Sequence, residues 1–117
     1  MNESDPRGIS PHVPGAKLDN GKPFTWLCIK GFAHALDEVA KVTTVGARKY
    51  TPDGWKSVPD GANRYMDAFG RHMLKLGQGE TTDADTQCLH KAQMIWNLLA
   101  SLELELTHTK FTWEENL

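Results

Sequence analysis

The sequence predicts an all-α protein, and two observations support this prediction. Apolar residues recur at intervals of three and four, which is the spacing of a helix face, and there is no strand-length alternating run. Prolines and glycines concentrate at a few points, where they separate the helical stretches. We therefore expect a small helical bundle of three main helices and a short N-terminal helix, completed by oligomerisation.

Size and composition fit one soluble globular domain. The chain has 117 residues, 39% of them hydrophobic and 24% charged, and its net charge is −2. Because the net charge is not positive, nucleic acid and membrane are unfavourable partners, and a phosphate-bearing ligand needs local positive charge. Cys28 and Cys88 lack metal-type spacing, and there is neither a membrane-spanning apolar run nor a signal pattern, which predicts a cytoplasmic location.

The elements follow one another in a simple order. Residues 1–23 hold most of the prolines and predict an extended N-terminal arm. A helical domain is expected over residues 24–107, and residues 108–117 are expected to form a tail. The predicted helices run from Pro23 to Gly31, from Phe32 to about Tyr50, from Ala62 to Gln78 and from about Asp85 to Thr107.

The last helix has a wide apolar face. A helix that is apolar on so many sides is buried against more than one neighbour, so we expect it to form the interface of a homodimer or homotetramer. Its apolar stripe consists of Cys88, Ala92, Ile95, Leu99, Leu102 and Leu106, with Leu89, Trp96 and Leu98 beside it.

Candidate functional residues concentrate between the third and fourth helices. Glu80, Asp83 and Asp85 follow a glycine-rich break, and crowded carboxylates suit a divalent cation that in turn holds phosphates. Acidic residues also favour any helix N-terminus, so the carboxylates alone leave a metal site and a helix cap equally open. His90 and Asn97 favour the site, because buried polar groups in an apolar helix cost free energy unless they have a partner.

Five features of the sequence, taken in order, resemble one enzyme family. They are Lys17-x-Asp-x-x-Lys22; Glu38-Val-Ala-x-Val followed by Gly46-Ala-x-Lys49-Tyr50; Trp55; Asp67-Ala-x-x-Arg71-His72; and Gly79-Glu80-x-x-Asp83 with His90 and Asn97. Over roughly residues 15–106 the chain resembles the bacteriophage-type dATP/dGTP diphosphohydrolase domain, which is related to the MazG-like all-α nucleoside triphosphate pyrophosphohydrolases.

The resemblance implies a metal-dependent enzyme of phage nucleotide metabolism that cleaves a purine deoxynucleoside triphosphate, dGTP or dATP, to the monophosphate and pyrophosphate. Mg²⁺ is the implied cofactor, with Mn²⁺ as the alternative ion. Glu80-x-x-Asp83 matches the second metal-binding element of MazG-like enzymes, whereas Glu38 and Asp67 match the first incompletely. The implied roles are catalysis for His72, Glu80 and Asp83, metal binding for Glu38, Asp67, Glu80 and Asp83, and substrate binding for Lys17, Lys22, Lys49, Arg71, His90 and Asn97.

The sequence departs from the family pattern at two points. Thr86-Gln87 stands where the family commonly has Ser-Gly, and Gln93 stands where a second histidine is frequent. These differences bear on base specificity more than on the reaction class.

Other classes fit the sequence less well. An HD-type phosphohydrolase needs an adjacent His-Asp pair, and none of the five histidines precedes an aspartate. A zinc site formed by His34, His72, His90 and a cysteine lacks the close ligand pairs that are usual in such sites. The alternative to an enzyme is a small helical phage protein that binds a host partner through its last helix.

Overall fold

The structure is a computed structural model that describes residues 3–108. These residues contain four α-helices and one 3₁₀ turn, Gly54–Ser57, and no strand beyond an isolated bridge between Thr82 and Leu89. The helices are α1 (Thr25–Gly31), α2 (Ala33–Lys49), α3 (Gly61–Gly77) and α4 (His90–His108). The predicted all-α fold is confirmed, and the predicted tail after His108 lies outside the described residues.

The chain divides into two compact units, Met1–Phe32 and Ala33–Leu117. The sequence prediction placed α1 in the helical domain, whereas the structure groups it with the N-terminal segment. None of the helices within residues 3–108 combines the length and hydrophobicity needed to cross a bilayer.

Hydrogen bonds to Asp5 organise the first unit. The two carboxylate oxygens of Asp5 accept the backbone N–H groups of Lys17, at 2.8 Å, and Arg7, at 2.7 Å, and these bonds hold the pKa of Asp5 below its ordinary value. The backbone N–H of Asn20 donates to the carbonyl oxygen of Ser4 at 2.9 Å. The predicted arm therefore closes on itself through turns in its described part.

Helix α4 is the centre of the second unit and packs along α3 and α2. Trp55, Tyr65 and Trp96 form an edge-to-face aromatic cluster with ring centroids 5.6–6.4 Å apart, a favourable geometry for the ring quadrupoles. The hydroxyl of Ser101 donates to the carbonyl of Ala62 at 2.8 Å. These contacts fix the register of α4 against the start of α3.

The bundle covers only part of the apolar stripe that the sequence indicated, including Ala92, and leaves its large side chains exposed. Leu99 and Leu102 are each 48% exposed, and Ile95 and Leu106 are each 37% exposed. The covered face carries mainly small or polar side chains. The small ones allow α4 to approach α3 closely, and the polar ones have hydrogen-bond partners within reach. Its buried residues are His90, Ala92, Gln93, Asn97, Ala100, Ser101 and Leu104.

Tyr65 links the aromatic cluster to the backbone and carries a testable alkaline sensitivity. Its hydroxyl donates to the carbonyl of Trp55 at 3.1 Å, and burial raises its pKa, with Arg64 opposing and Tyr50 adding to the shift. A raised pKa means that the neutral phenol stabilises the fold fully below the ordinary tyrosine pKa, and that this contribution is lost as pH rises through the shifted value.

We expect Tyr65→Phe to lower the free energy of unfolding by about 1 kcal/mol near pH 8, because the hydrogen bond is lost. The variant should also lose less stability than the wild type between about pH 8 and pH 11. Urea unfolding at both pH values measures this, and Tyr50→Phe, which removes the exposed tyrosine that adds to the shift, should change the alkaline loss much less than Tyr65→Phe does. An equal alkaline loss in wild type and Tyr65→Phe would contradict the assignment.

Candidate active site

The C-terminus of α3 determines where Glu80 lies. Gly79 has φ +94°, a left-handed conformation that glycine adopts without steric cost. The N–H of Gly79 donates to the carbonyl of Leu76, and the N–H of Glu80 donates to the carbonyl of Lys75, each at 3.0 Å. This is a Schellman motif, which ends the helix and turns the chain toward α4.

A hydrogen-bonded loop connects α3 to α4. The N–H of His90 donates to the carbonyl of Thr81 at 3.0 Å, and the N–H of Asp83 donates to the carbonyl of Cys88 at 2.9 Å, on either side of the Thr82–Leu89 bridge. The predicted start of the last helix at about Asp85 is therefore wrong. Residues 81–83 pair with residues 88–90 across the loop, and the helix begins only at His90. Since α4 begins at His90, Asp83 is not its N-terminal cap.

Two imidazoles and one carboxylate converge where this loop meets α3. The Nδ1 atoms of His72, on α3, and His90, at the start of α4, lie 2.9 Å apart. Ligand atoms of His72, Asp83 and His90 all lie within 4.8 Å of one another, and we call these three residues the His-Asp-His cluster. It is an arrangement that could hold a metal ion.

Neighbouring side chains position the cluster. The amide of Gln93 donates to Oδ2 of Asp83 at 3.1 Å, and the N–H of Asp85 donates to Oδ1 of Asp83 at 2.9 Å. His90 is 2% exposed, and its buried Nε2 makes no hydrogen bond. Oε2 of Glu80 lies 3.3 Å from this nitrogen, close enough for an ion pair but without hydrogen-bond alignment.

The electrostatics of the cluster favour a neutral imidazole and an ionised carboxyl. Burial, and then the adjacent His90, lower the pKa of His72, against an opposing effect of Asp83. Burial acts to raise the pKa of Asp83, but the N–H of Asp85, the amide of Gln93 and the two histidines together hold it below its ordinary value. These are the protonation states in which histidine and aspartate bind metal ions.

The cluster opens into a cleft of about 640 Å³. Arg71 and Lys75, four residues apart on α3 and therefore on one face of the helix, bring two cations to the cleft. Its other polar lining residues are His72, Gln78, Glu80, Asp83, Asp85 and His90. The site thus combines positive groups for an anion with a potential metal-binding cluster.

The structure brings together five of the residues that the sequence predicted for the site: Arg71, His72, Glu80, Asp83 and His90. Lys75 and Gln93 are among the residues at the site that the sequence analysis did not assign to it. Gln93 holds the Asp83 carboxylate, and Lys75 lines the cleft. The signal for Gln93 was its position in an apolar helix three residues after His90, and the signal for Lys75 was its spacing of four from Arg71.

Three other predicted residues of the second unit, Glu38, Asp67 and Asn97, are not part of the cluster. Glu38 is paired with Lys41 at 2.8 Å, which gives it a structural partner on α2, and Asp67 is exposed on α3. Asn97 is buried and donates to the carbonyl of Gln93 at 2.8 Å, within its own helix.

Of the three predicted substrate-binding lysines, Lys49 shares the unit of the cleft and is not among the residues that line it, whereas Lys17 and Lys22 belong to the first unit. Lys49 lies 5.3 Å from the ring centre of Tyr50, and Lys22 pairs with Glu3 at 3.1 Å. The side chain of Lys17 is exposed. Their predicted roles stay predictions, as do the metal-binding roles of Glu38 and Asp67.

The donor set that converges differs from the set predicted for Mg²⁺. The prediction relied on four carboxylates, whereas the cluster offers one carboxylate and two imidazoles. Mg²⁺ binds oxygen ligands in near-octahedral geometry and takes imidazole reluctantly. The cluster alone therefore does not fit a protein-bound Mg²⁺.

Comparisons with known proteins agree with the resemblance seen in the sequence. A dATP/dGTP diphosphohydrolase of Salmonella phage PMBT28 is 31% identical over 87 residues, which are 74% of this chain and 28% of the phage protein. The chain thus spans less than a third of that relative's length, and no solved structure matches it. The family model described as dATP/dGTP diphosphohydrolase, N-terminal, matches residues 12–114, so the chain belongs to that family.

Proposed function

We propose that the chain hydrolyses a purine deoxynucleoside triphosphate, dGTP or dATP, to the monophosphate and pyrophosphate. The observation that carries this proposal is the cleft in which Arg71 and Lys75 face the same space as the His-Asp-His cluster. The family and the name of the phage relative support the same reaction class.

The cations of the cleft suit a triphosphate. A guanidinium such as that of Arg71 can bind two phosphate oxygens at once, and Lys75 adds a point charge one helical turn away. In the proposed reaction water adds to the α-phosphorus, the bond to the α–β bridging oxygen breaks, and pyrophosphate leaves. Arg71 and Lys75 would hold the charge that develops on the leaving group.

The acidic side of the cleft implies that a divalent cation takes part. Glu80, Asp83 and Asp85 line the same space and would repel a polyphosphate. A bound divalent ion neutralises phosphate charge and lowers the pKa of a bound water. We therefore propose metal-dependent hydrolysis, with Mg²⁺ carried by the triphosphate in keeping with its preference for phosphate oxygens.

A substrate panel tests the reaction. Each deoxynucleoside and ribonucleoside triphosphate is incubated with the chain and Mg²⁺ or Mn²⁺, and the phosphorus-containing products are resolved. We expect purine deoxynucleoside monophosphate and pyrophosphate, and no turnover in EDTA. Release of orthophosphate, or of nucleoside with intact triphosphate, would exclude cleavage between the α- and β-phosphates.

Arg71→Ala should lower kcat/KM for the preferred triphosphate by about 10²-fold, since a charged donor to the leaving group is lost. The matched control is Arg64→Ala, at an exposed arginine of the same helix whose side chain donates to the carbonyl of Pro59. Steady-state kinetics on both variants makes the comparison. Equal kinetics for the two would remove Arg71 from the binding site.

We also propose that a second copy of the chain covers the exposed apolar face of α4. The buried hydrophobic side chains of the described residues are few and mostly small: Val39, Cys88, Ala92, Ala100 and Leu104. Small domains are marginally stable even with a full core, so this unit needs further apolar burial in order to fold. The chain needs this additional burial whenever it folds. A second copy of the chain is present whenever the first is, so we propose a second copy as the partner.

A further inference from the structure

We propose that the His-Asp-His cluster binds a first-row divalent transition-metal ion such as Co²⁺ or Zn²⁺, and that Glu80 orients His90 instead of binding the ion. The ion's use in hydrolysis rests on the proposed function. The binding of the ion does not rest on the proposed function, because it is inferred from the donor atoms of the cluster alone.

The spacing of the two histidines fits shared coordination. Their Nδ1 atoms share a hydrogen bond at 2.9 Å, and two ligands each about 2.1 Å from one ion stand about 3.0 Å apart at right angles and about 3.4 Å apart in a tetrahedral shell. Oδ2 of Asp83 accepts one hydrogen bond from Gln93, and Oδ1 accepts one from Asp85, so each oxygen keeps a lone pair for an ion. An ion would replace the hydrogen bond between the two nitrogens and draw in the nearby Asp83 carboxylate.

The unpartnered Nε2 of His90 is the second observation. This nitrogen is buried without a hydrogen bond, in a residue that is 2% exposed, and Glu80 Oε2 lies 3.3 Å from it. A metal-bound histidine usually donates its other ring N–H to a carboxylate, which fixes the tautomer and orients the ring. If Nδ1 of His90 binds the ion, Nε2 carries the ring proton. This N–H can then donate a hydrogen bond to the Glu80 carboxylate.

The donor types select the ion. Imidazole nitrogen suits Zn²⁺ and the later first-row ions, whereas Mn²⁺ and above all Mg²⁺ prefer oxygen ligands. Among these ions the affinity of such a site rises from Mn²⁺ through Co²⁺, and Zn²⁺ also binds tightly. We expect this order, with Mg²⁺ far weaker than Mn²⁺.

The test is a metal titration of the full chain after EDTA treatment, without nucleotide. Visible absorption of added Co²⁺ reports inner-shell coordination, and competition with Zn²⁺ and with a hundredfold excess of Mg²⁺ reports selectivity. We expect one Co²⁺ per chain, displaced by Zn²⁺ and retained against Mg²⁺. Displacement by Mg²⁺ on equal terms would overturn the proposal.

Variants locate the site. Glu80→Gln should weaken Co²⁺ binding by about 10–100-fold, and His72→Ala by at least about 100-fold, since a direct ligand contributes more than an outer partner. His34→Ala and His108→Ala, at exposed histidines, are the matched controls. Unchanged binding in His72→Ala, or a loss of binding in the controls, would overturn the assignment, and melting in EDTA verifies that each variant is folded.

The same titration separates this inference from the proposed function. Co²⁺ bound at the cluster in a chain that cleaves no triphosphate would leave the metal site standing and remove the proposed reaction. Triphosphate cleavage with Mg²⁺ in a chain whose cluster binds no Co²⁺ would support the proposed reaction and overturn the proposed metal site.

Discussion

Asp83→Asn is expected to lower triphosphate turnover by about 10³-fold while leaving the chain folded. A catalytic ion contributes several kcal/mol to the transition state, and each 1.36 kcal/mol is a factor of ten in rate. The substitution removes the charge of the one carboxylate in the His-Asp-His cluster but keeps an oxygen for the N–H of Asp85. The cost in unfolding free energy should be about 1 kcal/mol, from the altered contact with Gln93.

Asp53→Asn is the matched control, because Asp53 is exposed and pairs only with Lys56, at 3.5 Å, among the ion pairs of residues 3–108. Turnover and thermal melting are measured on both variants. An Asp83→Asn protein that melts lower yet turns over normally would show that Asp83 serves the loop alone. Glu38→Gln and Asp67→Asn, run in parallel, test the two ligands that the sequence predicted and that lie outside the cluster.

The second large effect concerns assembly. Leu99→Asp combined with Leu102→Asp should convert a homodimer or homotetramer to monomers and lower the melting temperature. On a face that stays exposed, surface substitutions of this kind change stability by about 0.5 kcal/mol or less, whereas an unpaired charge buried in an interface costs several. Both leucines are 48% exposed in the single chain, so the size of the effect reports whether another molecule covers them.

Light scattering at micromolar concentration measures the mass, and Leu99→Met with Leu102→Met is the control that keeps both positions apolar. A wild-type chain of monomer mass would exclude the second copy and favour the alternative in which this face binds a host partner. An oligomer that survives the double Asp substitution would place the interface elsewhere.

The sequence predicted most of the fold because helix periodicity is a local property. The starts and ends of α2 and α3 lie within about one residue of the predicted positions. The prediction of where α4 starts was wrong because crowded acidic residues resemble a helix N-terminus. The pairing of Thr82 with Leu89, which delays the helix, depends on the loop closing and has no local signal. Periodicity showed that the apolar stripe of α4 favours burial but not what buries it, and most of that stripe is exposed in the single chain.

The candidate site was predictable in composition and less so in arrangement. His72, Asp83 and His90 stood out as polar residues near a glycine break, yet only their convergence shows that imidazoles outnumber carboxylates. Glu80 was expected to bind metal directly, and the structure places its carboxylate beside His90 Nε2. Roles of this kind depend on distances of a few ångströms, which spacing along the chain does not determine.

The loop between α3 and α4 has a consequence for the order of folding. Glu80, Asp83, His90 and Gln93 all belong to one short stretch, residues 80–93, and His72, on α3, completes the cluster through its hydrogen bond with His90. Closing a loop of this length takes about 10–100 ns and involves one chain only. Covering the apolar face of α4 with a second copy requires two chains to collide, so its rate falls with dilution. In the proposed assembly the groups of the candidate site can therefore meet before a second copy arrives, and they stay together only once that copy supplies the missing apolar burial.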